Sequence, residues 1–316
     1  MIEGVVAEPS FALMLTGFLA AAVRVASPLL LAALGETVSE RGGVINLGLE
    51  GAMLSGALAA VLGTEAAGPW AGVLLSLATG AVLMLGLALI SIWLRADQII
   101  AGTALTLMAV GVTGAVYRQT HGITGASPAV DTFAPIGIPG LSRIPILGPA
   151  LFEQPVLVYA GFLAVPLTWW LLYRTPWGLG LRAAGESPEA AHANGVRVAW
   201  TQAGGVVLGG ALGGLAGGTL VLAQVGAFAE RMTAGRGFVA IAIVVLGRWH
   251  PVGALIAALL FGVLTALQYL FQALGFAVPY QLFLMLPYLL TLLALAGFRG
   301  KAIAPASLGK SWNPSR

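Results

Sequence analysis

The sequence contains no cysteine, only three histidines and very little charge. The lack of cysteine excludes disulfides and thiolate metal sites, and the scattered histidines show no metal-ligand spacing. Charged residues make up 9% of the 316 residues, 59% are hydrophobic, and the mean hydropathy is +0.94. A soluble protein this poor in charge could not cover its surface with polar groups, so most of this surface belongs in lipid.

The charge that is present does not indicate a nucleic-acid partner. The formal net charge is +3, but the lysines and arginines are dispersed between apolar runs instead of forming one basic face. Before the first apolar run the only charges are Glu3 and Glu8, whereas a cleaved signal peptide begins with basic residues. We therefore expect no nucleic-acid partner, and we expect the first apolar run to direct insertion into the lipid bilayer.

Nine apolar runs suggest membrane helices, because a helix needs about 20 apolar residues to cross a hydrocarbon core about 30 Å thick. The seventh run is too short to span alone and would form half of a broken helix with its neighbour. The sequence therefore predicts an all-α fold, a polytopic integral membrane bundle of about eight to ten transmembrane helices. The runs cover residues 11–34, 43–63, 69–93, 99–117, 155–173, 202–228, 237–246, 252–271 and 279–296.

The distribution of lysine and arginine predicts the orientation of the bundle, because cytoplasmic loops carry an excess of both. With the C-terminal tail at about 298–316 placed inside, nine spans leave the N-terminus outside. The chain is then a single membrane domain, 1–316, with an extracytoplasmic loop at about 118–154 and a cytoplasmic loop at about 174–201. Prolines in the first loop favour extended turns. The predicted cytoplasmic cations are Arg41, Arg95, Arg174, Arg182, Arg197, Arg248, Arg299, Lys301, Lys310 and Arg316, and the extracytoplasmic ones are Arg118, Arg143, Arg231 and Arg236.

Glycine is abundant, with 44 residues. Small residues let helices approach closely where apolar side chains gain nothing by leaving lipid. In the sixth run, glycines recur every four residues along two adjacent stripes, which we expect to form a tight contact with another helix. The stripes are Gly209, Gly213, Gly217 and Gly210, Gly214, Gly218.

Polar groups enter the second run in the segment ERGGVINLGLEG, residues 40–51. Asn46 and Glu50 are four residues apart, so a helix would place both on one face, with Glu50 about 10 Å inside the run. A carboxylate there costs about 2.5 to 3.5 kcal/mol unless it is paired or faces water. We predict that Arg24 pairs with it, near a carbonyl that Pro28 leaves without a helical hydrogen bond. Such a pair either locks the bundle or lines a polar pathway.

A second polar segment, RAAGESPEAAHANG at residues 182–195, combines helix start and stop signals. Ser187 can cap a helix, Pro188 suits its first position, and Glu189 favours the positive end of its dipole. Gly195 can close the helix in the left-handed conformation. We expect an exposed helix of about two turns, which is either an ordinary loop helix or a knob that fits a groove on a cytoplasmic partner.

Three stretches resemble permease subunits of bacterial ABC importers, in the group that serves simple sugars, branched-chain amino acids and nucleosides. They are residues 40–51, residues 182–195, and GRGFVAIA at 235–242 with its continuation GRWHP at 247–251. The resemblance is spread over most of the chain and is greatest for the nucleoside type. It implies an ABC importer permease in the bacterial cytoplasmic membrane, moving a small polar solute, with a nucleoside favoured and a simple sugar next.

The resemblance also implies how the chain works with other subunits. It implies that the capped loop docks on a separate ATP-binding subunit, which hydrolyses the ATP, and that a second permease subunit, homologous or identical, completes the pathway. An extracytoplasmic solute-binding protein or lipoprotein would deliver the solute, and residues 235–237 would bend into a short re-entrant helix. The implied coupling residues are Arg182, Gly185, Glu186, Ser187, Pro188, Glu189, Ala190, Ala191 and Gly195.

Polar residues within the runs are candidates for the pathway, although each could equally bond a neighbouring helix. An ion-coupled secondary transporter is the alternative function, and Glu50 would be its buried carboxylate. An enzyme is disfavoured, because no cysteine, histidine cluster or carboxylate pair lies within the runs. We expect no cofactor in this chain, since the GKS triplet at 309–311 lacks the rest of a phosphate-binding loop. The pathway candidates are Arg24, Asn46, Glu50, Gln98, Gln202, Gln224 and Arg236.

Overall fold

The computed structural model describes residues 11–122, 129–273, 285, 289 and 304–313. Within these residues the chain forms eleven α-helices and one two-stranded antiparallel ribbon. The predicted helical membrane bundle is confirmed, with the ribbon as a small addition. The helices are α1 Phe11–Arg41, α2 Leu49–Ala67, α3 Pro69–Ala88, α4 Gln98–His121, α5 Leu147–Phe152, α6 Val156–Arg174, α7 Pro176–Glu186, α8 Pro188–Ala193, α9 Val198–Leu220, α10 Arg236–Leu246 and α11 Pro251–Ala273; the strands are β1 Pro135–Gly137 and β2 Glu153–Pro155.

Six of the described helices are long and apolar enough to cross a membrane. They are α1, α4, α6 and α11, together with α3 and α9, which are extended by the π-helical turns Leu89–Trp93 and Val221–Val225. Helix α10 has 11 residues and is too short to cross, as its run predicts. Helix α2 carries two acidic residues and is mostly buried within the bundle. The predicted run 279–296 lies outside the described residues except at 285 and 289.

Helix α9 lies at the centre of the bundle, because its glycines let other helices approach its backbone. A Cβ atom added to Gly217 would collide with the Met53 carbonyl oxygen of α2, and one added to Gly214 would collide with the Ser76 carbonyl oxygen of α3. The predicted close packing is confirmed, and it involves three helices instead of one. Gly209, Gly213 and Gly217 face α1 and α2, whereas Gly210, Gly214 and Gly218 face α3.

The helix ends gather at two ends of the bundle, as the alternation of apolar runs predicts. At one end, Nε of Arg41, the last residue of α1, donates to the Trp249 carbonyl oxygen before α11 at 2.8 Å. At the other end, Arg118 of α4 pairs with Glu230 at 2.7 Å. The end with Arg41 also carries α7, α8 and residues 304–313, and it is called the coupling end below. Which end faces the cytoplasm stays a prediction.

Residues 129–154, the described part of the predicted extracytoplasmic loop beyond α4, form secondary structure in addition to the predicted turns. Strands β1 and β2 pair in antiparallel register, and α5 lies between them in the chain. Gln154 of β2 is fully buried, and its Nε2 atom donates to the Ala20 carbonyl oxygen of α1 at 3.3 Å. Strands of three residues are too short to show an alternating pattern, so the sequence could not predict them.

Candidate functional site

The chain between α1 and α2 re-enters the bundle without helical structure, which corrects the second predicted run. Residues 42–48, called the first break below, turn at Gly43, whose φ angle of +89° favours glycine. The backbone nitrogen of Asn46 then donates to Oε1 of Glu36 in α1 at 3.0 Å. The first break therefore folds back alongside the last turns of α1.

Two glutamines from other helices hold the backbone of the first break. Oε1 of Gln98 accepts a hydrogen bond from the Ile45 nitrogen at 2.8 Å, and Nε2 of Gln202 donates to the Gly42 carbonyl oxygen at 2.8 Å. Non-helical backbone at membrane depth requires such partners, because lipid offers none. Both residues were candidates for the pathway, and the structure gives them a bond to neighbouring backbone; a role in translocation stays a prediction.

The carboxylate of Glu50, in the first turn of α2, binds the start of the half-helix α10. Its Oε1 accepts hydrogen bonds from the Thr233 hydroxyl at 2.6 Å and the Gly235 nitrogen at 2.9 Å. Its Oε2 accepts from the Gly237 nitrogen at 2.6 Å. A helix N-terminus stabilises negative charge through its free N–H groups and its dipole. This arrangement offsets the cost of burying the carboxylate.

The predicted Arg24–Glu50 ion pair is wrong, although the structure describes both residues. Nε of Arg24 donates to Oε1 of Gln154 at 3.3 Å, while α10 supplies the partners of Glu50. The predicted effect of Pro28 is confirmed, because the Arg24 carbonyl oxygen accepts from Nε2 of Gln224 at 2.7 Å. No residue pattern around Glu50 indicates that its partners are backbone N–H groups about 185 residues away and not the arginine of the preceding helix.

The predicted bend before α10 is also present. Gly235 has a φ angle of +84° and precedes the first residue of α10, Arg236. Nη1 of Arg236 donates back to the Met232 carbonyl oxygen at 2.8 Å and so closes the turn. Residues 226–235, called the second break below, thus lead from the end of α9 to the N-terminus of a re-entrant helix.

Beside the first break lies a buried polar cluster that the sequence analysis missed. Glu36 and Glu40 are buried, because α1 continues to Arg41 and is longer than its predicted run. The indole Nε1 of Trp249 donates to Glu40. Among the described atoms, Oε2 of Glu36 and both polar side-chain atoms of Asn46 are buried without a hydrogen-bond partner. Such orphaned atoms are rare in folded proteins; a role of Asn46 in the pathway stays a prediction.

The connection between α10 and α11 has its own polar contact at the coupling end. Burial, and then the positive charge of Arg41, lower the pKa of His250. A neutral imidazole has one nitrogen able to accept a hydrogen bond, and Nδ1 of His250 accepts from the Val252 nitrogen at 3.2 Å. His250 therefore satisfies a free N–H group in the first turn of α11.

The predicted capped helix is confirmed as α8. The Ser187 hydroxyl accepts from the Ala190 nitrogen at 3.4 Å, Pro188 takes the first helical position, and Gly195 closes the turn with φ +84°. The preceding helix α7, which begins at Pro176 with Thr175 as its cap, was not predicted. The Thr175–Pro176 pair is a start signal of the same kind as Ser187–Pro188.

The predicted coupling residues fall into an exposed set and a buried set. Glu186, Glu189, Ala190 and Gly195 are exposed, whereas Gly185, Pro188 and Ala191 are buried. Between α7 and α8 lies an open groove of about 480 Å³ that Glu186, Ser187 and Ala190 help to line. Arg182 is partly buried, and its Nε donates to the Leu172 carbonyl oxygen of α6 at 3.0 Å. Arg182 therefore fixes α7 to the bundle instead of projecting from it.

The loop of α7 and α8 contacts the first break, partly through the C-terminal segment 304–313. A Cβ atom added to Gly185 would collide with the Arg41 carbonyl oxygen, so α7 packs closely against the end of α1. The Ser307 nitrogen donates to the Gly185 carbonyl oxygen at 3.0 Å, and the Gly309 nitrogen donates to the Gly43 carbonyl oxygen at 3.0 Å. The C-terminal segment thus bonds to α7 and to the first break at the same time.

Comparison with known sequences finds one matching protein family and several similar transport proteins. The family described as branched-chain amino acid transport system / permease component matches residues 18–295. The guanosine ABC transporter permease protein NupQ of Bacillus subtilis is 40% identical over 90% of this chain and 92% of its own. The nucleoside ABC transporter permease protein NupC of Lactococcus lactis is 37% identical over 92% of this chain and 94% of its own.

A third relative has a different named solute. The putative glucose ABC transporter permease protein TsgC13 of Haloferax volcanii is 42% identical over 83% of this chain and 79% of its own. No solved structure gives a significant match. The chain therefore belongs to the branched-chain amino acid transport system permease family, and it is a multi-pass membrane transport subunit of the ABC type and not an enzyme.

Proposed function

We propose that this chain imports nucleosides across a bacterial cytoplasmic membrane, driven by ATP hydrolysis on a separate subunit. Two relatives whose names specify guanosine or nucleosides align with about nine-tenths of this chain and of their own. The relative named for glucose covers less of both chains, which makes a simple sugar the second candidate solute. The predicted orientation, with the coupling end in the cytoplasm, belongs to this proposal.

The observation that carries the proposal is the connection, through α7, between the exposed helix α8 and the interior of the bundle. Helix α8 follows α7 after Ser187 alone, and α7 touches Arg41 and the first break. A partner that pushes on α8 would therefore move the backbone of residues 42–48. We assign α8 and the groove beside it to the docking surface for an ATP-binding subunit.

Two breaks meet at Glu50, and we place the solute pathway beside them. Glu50 follows the first break by two residues and binds the end of the second break through Gly235. Broken helices supply polar backbone at membrane depth, which is where transported solutes bind. A second permease subunit would complete this pathway, and an extracytoplasmic binding protein or lipoprotein would supply the solute at the other end.

The proposal can be tested in proteoliposomes that contain this chain, the second permease subunit, the ATP-binding subunits and the solute-binding protein. We expect uptake of labelled guanosine to require ATP on the side of the membrane that the coupling end faces. Ala190→Arg places a bulky charge on the exposed face of α8 without removing the backbone cap. We expect this variant to lower uptake and recovery of the ATP-binding subunit about tenfold, which corresponds to about 1.4 kcal/mol of docking energy.

The matched control is Ala66→Arg, which makes the same change at an exposed position. Ala66 lies near the C-terminal end of α2, at the end of the bundle away from the coupling end. This variant should leave recovery of the ATP-binding subunit unchanged. Equal loss in both variants would contradict the assignment of α8. Uptake by this chain alone, driven by an ion gradient in vesicles without an ATP-binding subunit, would favour the secondary-transporter alternative.

A further inference from the structure

A small pocket lies at the coupling end, apart from the groove between α7 and α8. It is enclosed by the π-helical turn after α3, the first residue of α4, the first turn of α9 and the C-terminal segment, with a volume of about 140 Å³. Sites for drug-sized ligands occupy about 300 to 1,000 Å³, so this space suits a single small group. Its lining includes Trp93, Arg95, Gln98, Gln202, Lys310 and Trp312.

The charges around the pocket are positive and uncompensated. No acidic side chain lines it, and among the described residues neither Arg95 nor Lys310 forms an ion pair. Nζ of Lys310 donates to the Ala306 carbonyl oxygen at 3.0 Å, which leaves further ammonium protons for a ligand. Asp97 is adjacent in sequence, but its Oδ1 accepts from the Ile99 nitrogen at 2.9 Å as the cap of α4.

The amide of Gln98 adds a hydrogen-bond donor to these cations. Its Oε1 already accepts from the Ile45 nitrogen, and none of the described groups accepts from its Nε2. Gln98 is buried and lines the pocket. Cationic groups combined with a neutral N–H donor match the negative charge and many acceptor oxygens of a phosphate group.

The surroundings of the pocket are typical of a membrane surface. Leu94, Ile100 and Trp200 flank it and are 76%, 71% and 68% exposed. The Trp93 and Trp200 rings meet edge to face with centroids 5.3 Å apart. Tryptophan is enriched at the interface between lipid headgroups and hydrocarbon. Exposed apolar side chains beside a basic pocket provide contacts for acyl chains and a headgroup together.

We propose that this pocket binds a phosphate group, supplied by an anionic phospholipid of the surrounding membrane. The headgroup phosphate lies between Arg95 and Lys310, and the acyl chains lie along the exposed apolar side chains of α3 and α4. The pocket shares Gln98 and Gln202 with the first break, and Gly309, next to Lys310, bonds to Gly43. A bound phosphate therefore stabilises the C-terminal segment and the first break in their present positions.

The test uses the transporter purified with its partner subunits in neutral detergent. Thermal unfolding of this chain is followed while phosphatidylglycerol, phosphatidylcholine or inorganic phosphate is added. We expect phosphatidylglycerol to raise the unfolding temperature and phosphatidylcholine to have no effect. The variant with Arg95→Gln and Lys310→Gln should lose this shift and should retain at least tenfold less phosphatidylglycerol, measured by native mass spectrometry.

A control variant with Arg174→Gln and Arg197→Gln removes the same charge at the same end outside the pocket, and it should keep the shift. A shift with inorganic phosphate equal to that with phosphatidylglycerol would support the phosphate site and assign it to a soluble anion. No shift with either probe, or equal shifts in both double variants, would overturn the proposal. If the pocket double variant does not fold, Lys310→Gln alone on the exposed C-terminal segment gives the same comparison with a smaller loss.

Discussion

The two breaks in the helical bundle are held in different ways. The first break, 42–48, is held by single hydrogen bonds spread along it, to the neutral amides of Gln98 and Gln202 and to Oε1 of Glu36. The second break, 226–235, ends at a helix N-terminus that is bound by the charged carboxylate of Glu50. Hydrogen bonds to charged groups contribute about 1.5 to 3 kcal/mol each, against about 0.5 to 1.5 kcal/mol for neutral ones.

The comparison indicates which backbone moves more easily. The first break has single bonds spread over several residues, direct contact with α7, and the unpartnered side chain of Asn46. The second break is fixed at α10 by a carboxylate that three donors share. We infer that a movement of α8 displaces the backbone of the first break before it displaces the second break. Glu50 meanwhile holds the N-terminus of α10 in place. Substitutions in each break test this difference.

The largest effect is expected for Glu50→Ala, which tests whether the carboxylate holds the second break. The change leaves the N–H groups of Gly235 and Gly237 and the Thr233 hydroxyl without their acceptor. Each orphaned donor costs about 1 to 3 kcal/mol, so we expect a loss of about 3 kcal/mol or more and no uptake. Thermal unfolding in detergent and proteoliposome uptake measure the two quantities.

Glu65→Ala on the same helix is the control for this substitution. Glu65 lies near the other end of α2, where its half-exposed carboxylate contacts His121. Ion pairs near the surface contribute about 0 to 1 kcal/mol, and this change leaves only Nε2 of the mostly buried His121 without its partner, so the variant should lose much less stability than Glu50→Ala. A Glu50→Ala protein as stable as Glu65→Ala would show that the carboxylate does not hold the second break.

A smaller effect is expected for Gln202→Leu, which tests one of the single hydrogen bonds that hold the first break. The change keeps the size of the side chain and removes one neutral hydrogen bond to the Gly42 carbonyl oxygen. We expect a loss of about 1 kcal/mol in stability, with ATP hydrolysis no longer tightly coupled to uptake. Gln119→Leu, at an exposed position of α4, should change neither quantity. A loss as large as that of Glu50→Ala would remove the distinction between the breaks.

The smallest effect on stability is expected for Asn46→Leu, which tests whether a side chain within the first break has a role other than stability. The buried Asn46 side chain has no described partner, so replacing it by an apolar group sacrifices no hydrogen bond. Stability should therefore stay the same or increase, by up to about 1 kcal/mol. If Asn46 lines the solute pathway, as the sequence analysis predicts, uptake should nevertheless fall. Unchanged uptake would assign Asn46 a purely structural role.

The sequence predicted the six described spans, the half-helix and the capped helix because each has a local signal. Run length, the Gly235–Gly237 bend and the Ser187–Pro188 start are all read from neighbouring residues. The partners of Glu50 were predicted wrongly, because the choice between Arg24 and the start of α10 depends on how distant helices pack. The same reason explains why the buried cluster of Glu36 and Asn46 and the pocket at Arg95 and Lys310 were not foreseen.

The short turn between α2 and α3 bears on how the chain is made. Gly68 alone separates the two helices, and a Cβ atom added to Gly63 would collide with the backbone at Gly72. Helix α9, which packs closely against another face of α2, leaves the ribosome only after six further helices, α3 to α8. We expect α2, which carries Glu50 and Glu65, to enter the bilayer as a hairpin with the more apolar α3. Much of the apolar contact that buries α2 then forms only after α9 has entered the bilayer.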